Sequence, residues 1–561
     1  MFCDPQLGCA DRLVSQDVSD EHAWQLSQEF RLASKFSGPL NFSVGGNYMH
    51  YETEENYYVF INALSIFALS SSPYKSDAAY IPGVTDRHEC LKGSYKYPDP
   101  ALGGGVPTEN CVYVDPNPLA EVNDDGHNYF LSQNPYTLNS YAAFGEVYYD
   151  VFNDVKLTAG LRFTEDQKHF SQMPSWVVAQ GWGYPVTGVV DQQWDQFTGR
   201  FAANWTPKLA FTDQSLIYGS YAHGYKAGGP NPPGAVFDTY AAVGTIANPV
   251  HPLTFKPEFI DAFEVGSKNT LLDGALTLNG SAFYYNYENY QISEIVDRTS
   301  INLNFDAHVK GAELEATYEP VPGLRFNFAG GWEATALAQG SRSIDLMDRT
   351  AGTPGWRVVK PFATQASNCI LPDYVVAALF VTGAGGYEGN TAVEACGFAY
   401  NGGLDPVTDL PYRANPPGTP AGYIGFDPTT APNNGEGFGK DLSGNELPNA
   451  PRFTVSAGAQ YTVPLSPDWA GTLRGDFYWQ DKSWARIFND DPYDRIHGYT
   501  NLNLAIILTS QEGWQVMFYD KNVFNTTAIT GTFLNSDDTG LTTNVFLTDP
   551  KLIGVRVTKN W

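Results

Sequence analysis

The residue types that catalyse reactions or bind metals are present in this sequence, but they do not form a catalytic pattern. The nine histidines are scattered along the chain, and none has the His-Glu-x-x-His spacing of a metalloprotease. The sequence contains neither a phosphate-binding glycine-rich loop followed by Lys and Ser or Thr nor a nucleophile elbow. We therefore predict that the chain is not an enzyme and that it holds no cofactor and no metal centre.

Two acidic segments offer oxygen ligands of the kind that calcium prefers, namely Asp124-Asp125-Gly126-His127 and Asp490-Asp491-Pro492-Tyr493-Asp494. Neither has the spacing of an EF-hand, so solvated loops are the favoured interpretation. The aromatic residues Trp176, Trp182 and Tyr184 also lie in predicted loops, where they contact a ligand, line a membrane interface or pack the loops. The net charge of −28 excludes nucleic acid as a partner, because binding phosphates needs clustered Lys and Arg.

The six cysteines fall into three local pairs: Cys3 with Cys9, Cys90 with Cys111, and Cys369 with Cys396. Six cysteines allow many connectivities, but each proposed partner is the nearest in sequence and lies in the same predicted loop. We expect disulfides that staple single loops, formed in an oxidising compartment. No signal peptide opens the chain, so we expect that an N-terminal segment is missing or was removed.

The elements that would position these residues are long β-strands rather than helices. Hydrophobic residues make up 43% of the chain and aromatic residues 14%, yet the mean hydropathy is −0.28. No run of about 18 uncharged apolar residues occurs, which excludes transmembrane helices. A transmembrane barrel has this composition because its strands alternate lipid-facing and lumen-facing residues. A secreted β-sandwich or solenoid remains possible on composition alone.

Alternation within single strands favours the barrel. In 155–165, Val155, Leu157 and Phe163 share one face, whereas Lys156 and Arg162 share the other. Each such run lasts about 10 residues, the length that crosses a bilayer at a barrel's tilt. Sandwich strands average nearer five or six residues.

Fifteen strands are predicted, and their connections alternate between tight turns and long loops. The strands are 22–35, 39–53, 138–151, 154–168, 195–206, 214–226, 258–270, 274–292, 301–319, 323–336, 452–464, 470–483, 498–509, 513–524 and 551–561. Short periplasmic turns and long extracellular loops are typical of an antiparallel transmembrane β-barrel. If the last strand ends in the periplasm, the first also runs downward and Met1 lies outside. We therefore expect an odd number of strands upstream.

Several motifs in this order resemble those of TonB-dependent receptors. They are Tyr141–Val147 with Leu157–Asp166, Tyr218–Gly229, Phe255–Glu258 with Phe263–Lys268, Val309–Glu315, Asn449–Pro451 and Lys521–Asn525. The match is strong across 138–561 and looser across 1–137. The resemblance implies an outer-membrane barrel of about 22 strands, of which these would be the last fifteen. Residues 1–561 would then be a partial barrel domain without the N-terminal plug.

The resemblance also implies partners and a location. The chain would lie in the outer membrane of a Gram-negative bacterium, in contact with its lipid, and would be inserted by the outer-membrane assembly machinery. The TonB complex would act through the missing N-terminal region, and the ligand would be a siderophore or another scarce nutrient. We expect the 561-residue chain alone not to support TonB-dependent growth.

Four charged residues in the resembling motifs are predicted to face the lumen. Glu264 and Lys268 alternate with apolar residues of one strand, and Glu313 and Glu315 do so in another. A charge on the lipid face costs roughly 2–4 kcal/mol at the bilayer midplane, so the charged face must be the lumen. There these residues pair with one another or contact a plug, and they do not predict a substrate site.

The C-terminus has the pattern of an outer-membrane assembly signal. Ile553, Val555 and Val557 alternate toward the terminal Trp561, although Lys559 stands where an apolar residue is usual. The substrate-binding residues cannot be read from the sequence. Two functions are consistent with it: TonB-dependent uptake, with a ferric siderophore as the first candidate before cobalamin or oligosaccharides, and a passive porin-like or ligand-binding barrel without energy coupling.

Overall fold

The computed structural model of the chain describes most of its residues. They are 2–4, 8–12, 14–61, 94–98, 109–113, 130–172, 176–177, 188–231, 252, 254–296, 299–360, 368–379, 396, 426, 430–535, 537 and 540–561. Of the predicted site residues, Cys90 and the segment 124–127 lie outside this set, as do Trp182 and Tyr184. All statements below refer to the described residues.

One antiparallel sheet of fifteen long strands dominates the fold, which confirms the predicted fold class. The strands are β1 (Ser15–Ala33), β2 (Leu40–Ile61), β3 (Tyr136–Phe152), β4 (Val155–Gln172), β5 (Gly188–Trp205), β6 (Gln214–Lys226), β7 (Glu258–Leu271), β8 (Leu276–Val296), β9 (Thr299–Val321), β10 (Leu324–Leu337), β11 (Phe453–Pro464), β12 (Trp469–Gln480), β13 (Tyr499–Ser510), β14 (Trp514–Lys521) and β15 (Leu552–Lys559). Each pairs with the strand that follows it in the chain. Two short segments, Phe130–Gln133 and Trp176–Val177, extend the sheet beside β2.

The remaining secondary structure lies in the connections. It comprises α1 (Asp373–Leu379), a 3₁₀ turn (Pro432–Gly435) and the short strand pairs Phe2–Asp4 with Gly8–Ala10, Ser94–Pro98 with Glu109–Tyr113, Gly229–Pro230 with Thr254–Phe255, Arg342–Ser343 with Lys440–Asp441, Trp356–Val359 with Cys369–Pro372, Ser483–Trp484 with Arg495–Ile496, and Ile529–Leu534 with Thr543–Leu547. In the described part of the chain, no helix has the length and apolar character needed to span a membrane.

The sheet has an apolar face and a polar face. The apolar face is made of large hydrophobic side chains that are half or more exposed, such as Val265, Leu473 and Val555. Residues of opposite parity form the polar face. Because successive side chains of a strand point to opposite sides, this pattern follows directly from the alternation in the sequence.

Tight connections join the strands at one end of the sheet, the turn end. Long connections join them at the other, the loop end, except for the two residues 297–298 between β8 and β9. The turn between β7 and β8 places Leu272, Asp273 and Gly274 at positive φ. A glycine tolerates this conformation without steric cost, and a short polar Asp adopts it more readily than most residues. The alternation of short and long connections was predicted from the sequence and is confirmed.

Several strands are longer at the loop end than predicted. β1 begins at Ser15 rather than 22, β2 continues to Ile61, and β5 begins at Gly188. The stretch added to β2 begins with Glu54–Asn56, which is polar on both faces, so the hydrophobic alternation that reveals a strand is lost there.

The first and last long strands each have one neighbour. β1 pairs with β2 and β15 pairs with β14, and the described residues include no pairing between β1 and β15. Both are odd-numbered strands of an antiparallel succession, so they run in the same direction.

The two faces can be tested with matched substitutions. Replacing Val265 on the apolar face with arginine should lower the free energy of unfolding by about 2–4 kcal/mol near the bilayer midplane. Replacing Asn279, which lies across from Glu315 on the polar face, with arginine should change it by less than about 1 kcal/mol. Urea titration of protein folded into lipid vesicles measures the free energy of unfolding of each variant. Equal losses in the two variants would contradict the assignment of the faces.

Candidate functional site

Three long connections gather at the loop end of the sheet. We call them loop A (338–452), loop B (481–498) and loop C (522–551). Loops A and B fold onto the polar face through a hydrophobic core. Its residues are Leu442 and Leu447 of loop A, Ile487 and Phe488 of loop B, and Ile292, Phe305, Ala307, Val309 and Leu337 of β8, β9 and β10. The loops therefore cover part of the polar face instead of standing away from it.

Side chains of loop A and loop B exchange hydrogen bonds with each other's backbone above this core. Asn445 Nδ2 donates to the carbonyl of Ile487 at 2.8 Å. In the reverse direction, Asn489 Oδ1 accepts from the Glu446 amide at 2.7 Å, and its Nδ2 donates to the Glu446 carbonyl at 3.1 Å. Because backbone groups of both loops are satisfied by the other loop, the two segments fold as one unit.

A buried ion network also joins loops A and B. Asp345 of loop A is completely buried and accepts from Arg486 Nη1 of loop B at 2.7 Å. Arg486 Nε donates to the buried Asp494 at 2.6 Å. Lys440 of loop A lies 2.6 Å from Asp490 of loop B. The acidic segment 490–494 is thus engaged with cations of this chain, in place of the solvated loop that the sequence favoured.

A buried arginine and a lysine connect loop A to loop C. Arg349 has only 1% of its side chain exposed, and its guanidinium donates to Glu436 at 2.8 Å and to Asp537 of loop C at 2.5 Å. Lys360 Nζ donates to the carbonyl of Asp537 at 2.6 Å. Burial alone would lower the pKa of Arg349, but the carboxylates of Glu436 and Asp537 hold that pKa above its usual value. The charge is therefore retained at all ordinary pH values.

A disulfide stabilises a second small core within loop A. Cys369 and Cys396 are bonded, 27 residues apart in sequence. Around them pack Leu371, Val375, Phe426 and Ala431. Cys3 and Cys9 are cross-strand partners in the register of their short hairpin. The pairing proposed for Cys90 and Cys111 stays a prediction, since Cys90 lies outside the described residues.

The four charged residues singled out in the sequence lie on two strands of the polar face. Glu264 accepts from Tyr218 Oη at 2.5 Å, and Lys268 Nζ lies 5.9 Å from the centre of the Tyr218 ring. Glu313 and Glu315 lie two strands away on β9. The structure does not join them into ion pairs with Glu264 or Lys268 in the described residues. Their role in contacting a plug stays a prediction.

A second charged group on the polar face was missed in the sequence. Arg200 binds Glu146 through two nitrogens, at 2.6 and 3.2 Å. The guanidinium groups of Arg31 and Arg162 lie 5.5 and 5.7 Å from the centre of the Phe144 ring. These residues come from β1, β3, β4 and β5, so only the strand register brings them together.

The C-terminal residues lie on the last strand. Ile553, Val555 and Val557 share one face of β15 and are largely exposed, as is Trp561. Lys559 Nζ donates to the carbonyl of Glu512 and lies over the Trp514 ring. Whether this pattern serves as an assembly signal is not decided by its geometry and stays a prediction.

The contacts between loops A, B and C form a surface that is suited to binding. The described residues hold no group of three or more His, Cys, Asp or Glu side chains that could bind a metal ion. What the loop end offers is a built surface, in which loops A, B and C form one body over the polar face.

Comparison with known proteins agrees with this architecture. The family described as TonB dependent receptor-like, beta-barrel matches residues 11–525. The chain is similar to the ferric yersiniabactin uptake receptor FyuA from Yersinia pestis, with 14% identity, a TM-score of 0.55, and coverage of 98% of this chain and 56% of that one. It is also similar to the siderophore receptor PiuA from Acinetobacter baumannii, with 12% identity, a TM-score of 0.51, and coverage of 96% and 56%. The chain thus spans little more than half the length of either structure. At these identities the likeness shows the fold alone.

The Arg349 contact can be tested against an exposed arginine of the same loop. Breaking a buried ion pair by removing one partner costs about 3–5 kcal/mol, so Arg349→Met should release loop C from loop A. Arg357 pairs with Asp373 on the surface, and Arg357→Met should cost less than about 1 kcal/mol. Hydrogen exchange of the backbone amides of 430–440 and 540–548 measures the effect of each substitution on the contact between loops A and C. Unchanged exchange in Arg349→Met would show that the arginine does not hold the loops.

The disulfide of loop A can be tested by removing both sulfurs. Closing a loop of this length stabilises the folded state by about 3–4 kcal/mol in the chain-entropy account, so Cys369→Ala with Cys396→Ala should destabilise the small core around it by that order. Exchange of 369–379 should rise, while exchange of the sheet strands should not change. Peptide mapping of the wild-type chain without reduction should recover Cys369 and Cys396 in one linked pair of peptides. Recovery of Cys369 linked to any other cysteine would contradict the pairing.

Proposed function

Because the chain belongs to the family of TonB-dependent receptor β-barrels, we propose that it forms most of the barrel of a receptor that takes up a scarce nutrient with energy delivered by TonB. Membership places the chain in the outer membrane of a Gram-negative bacterium, among receptors and transporters rather than enzymes. Its apolar face contacts outer-membrane lipid, and loops A, B and C are extracellular.

The observation that carries the proposal is the packing of loops A and B on the polar face. A passive pore needs an open, water-filled lumen, which long loops obstruct when they fold inward. Here Leu442, Ile487 and Phe488 are buried against the inner side of β8 to β10. An inward-folded, internally bonded loop body is the construction expected of a receptor mouth, which must recognise a ligand before passing it on.

A ferric siderophore is the proposed ligand. The support is the naming of two proteins of the same fold, FyuA and PiuA, for siderophore uptake. Cobalamin, oligosaccharides and other large nutrients are the next candidates. No residue of loops A to C is assigned to ligand contact, since these loops carry no motif specific to one ligand class.

The polar face is proposed to contact the segment that fills the lumen of the whole receptor. Glu264, Glu313 and Glu315 present carboxylates on β7 and β9, and Arg200 with Arg162 presents guanidinium groups on β4 and β5. Opposite charges on nearby strands of the polar face would fix how a plug is rotated inside the barrel. The TonB complex would then act through that plug, and the assembly machinery would recognise Trp561 with Ile553, Val555 and Val557.

Growth under iron limitation tests the function. The native gene, with its upstream region, is expressed in strains that lack their own siderophore receptors and that either carry or lack TonB. We expect growth on at least one ferric siderophore, and only in the strain with TonB. Radiolabelled-iron uptake with the same siderophore is the direct measurement.

Two outcomes would count against the proposal in different ways. Growth without TonB would favour the passive barrel. TonB-dependent uptake of cobalamin or an oligosaccharide, with no siderophore active, would keep the receptor and replace its ligand.

A further inference from the structure

A buried carboxyl group in the contact between loops A and B has one oxygen without a hydrogen-bond donor. Asp345 Oδ1 accepts from Arg486 Nη1 at 2.7 Å and from the Met347 amide at 3.0 Å. Asp345 Oδ2 is buried and accepts no hydrogen bond from the described residues. A carboxylate oxygen in that position loses its hydration without replacement, which is costly as long as it stays ionised.

The carboxyl group of Asp490 lies beside it. Lys440 Nζ donates to both oxygens of Asp490, at 2.8 and 2.6 Å, and lies 3.8 Å from Asp345 Oδ2. Lys440 Nζ thus lies within 4 Å of an oxygen of each carboxyl group, which makes Asp345 and Asp490 neighbours that can share a proton. Such a proton would give Asp345 Oδ2 the partner that it lacks.

The charges around this pair leave room for one proton. Asp345, Asp490 and Asp494 face Lys440 and Arg486, so three carboxyl groups meet two cations. The other charged groups nearby are engaged elsewhere. Arg342 donates to the carbonyl of Gly439, Asp441 accepts from Ser443, and Arg495 pairs with the exposed Asp491.

We propose that Asp345 and Asp490 share a proton and thereby form a pH-sensitive lock between loops A and B, which tightens when the medium becomes mildly acidic. The proton sits on Asp345 Oδ2 and is donated to Asp490, while Oδ1 keeps its bond to Arg486. Tightening holds both loops against the polar face, because they also share the core of Leu442, Leu447 and Ile487.

The direction of the pKa shifts agrees with this geometry. Burial raises the pKa of Asp345, against the opposing effect of Arg486. For Asp490, burial also acts upward, but Lys440 and Asp345 hold its pKa below the usual value. The proton therefore binds to Asp345. A carboxyl whose pKa is raised in the locked state gains stability as pH falls through that raised pKa, and the contribution of Asp490 is lost only at still lower pH, as it too becomes protonated.

Hydrogen exchange across pH tests the lock in the purified whole receptor. The Glu446 amide donates to Asn489 Oδ1 and the Asn449 amide donates to the Trp484 carbonyl, both at 2.7 Å, so these amides report on the contact between the loops. After correction for intrinsic exchange, their protection should rise as the pH falls from neutral through the raised pKa of Asp345, by at most about tenfold per pH unit for one proton. In Asp345→Asn the amide nitrogen can donate to Asp490 permanently, so protection should no longer depend on pH.

Asp491→Asn is the matched control, since Asp491 is exposed and belongs to the same loop. It should keep the wild-type pH dependence. If Asp345→Asn does not fold, Asp490→Asn replaces it, because it also removes the second carboxyl of the shared proton and should flatten the profile. The proposal would be overturned if protection in the wild type did not depend on pH. It would also be overturned if Asp345→Asn and Asp490→Asn both kept the wild-type dependence of protection on pH.

Discussion

Every backbone N–H and C=O group that lies in the hydrocarbon of a membrane must be hydrogen-bonded within the protein, because no water is available there. Within the described residues the pairing between neighbouring strands satisfies this requirement everywhere except at the outer edges of β1 and β15, and the two faces of the sheet follow from it. Lipid contacts Val265, Leu473 and Val555 on one face of the sheet. Side chains of the opposite parity, such as Glu264 and Arg200, lie on the other face. The loops then have a polar, curved support on which to fold, and their contacts depend on that face being held in register.

Where this constraint acts, the sequence was sufficient to predict the structure. The strand β7 was predicted at 258–270 and is found at Glu258–Leu271, because Phe263 and Val265 share one parity while Glu264 and Lys268 share the other. Where the strands leave the bilayer the constraint ends. Glu54–Asn56 in β2 is polar on both sides, so the predicted strand ended at 53 although β2 continues to Ile61.

The site was less predictable than the fold for a related reason. Arg31 stands between Phe30 and Leu32, which was a signal that its side chain belongs to the polar face, but its position over Phe144 depends on the register of three strands. The ion pairs of the loops join residues far apart in sequence, such as Arg349 and Asp537, with no periodic pattern to reveal them. Because no such pattern exists in loop B either, Asp490 and Asp494 were predicted to lie in a solvated loop. In the folded loops they pair with Lys440 and Arg486.

The contact of Arg349 with Glu436 and Asp537 has a consequence for how the sequence of the loop end can evolve. Loops at a protein surface vary more in sequence than the strands that they connect, and each can usually change independently. A buried arginine with two carboxylates removes that independence, because losing the arginine leaves the carboxylates of Glu436 and Asp537 without its guanidinium in the interior. Loops A and C can therefore diversify on their surfaces, but their buried positions must change together. Substitutions at the buried positions of the loop end are therefore tolerated only when residues of loop A and loop C, which are far apart in sequence, change together.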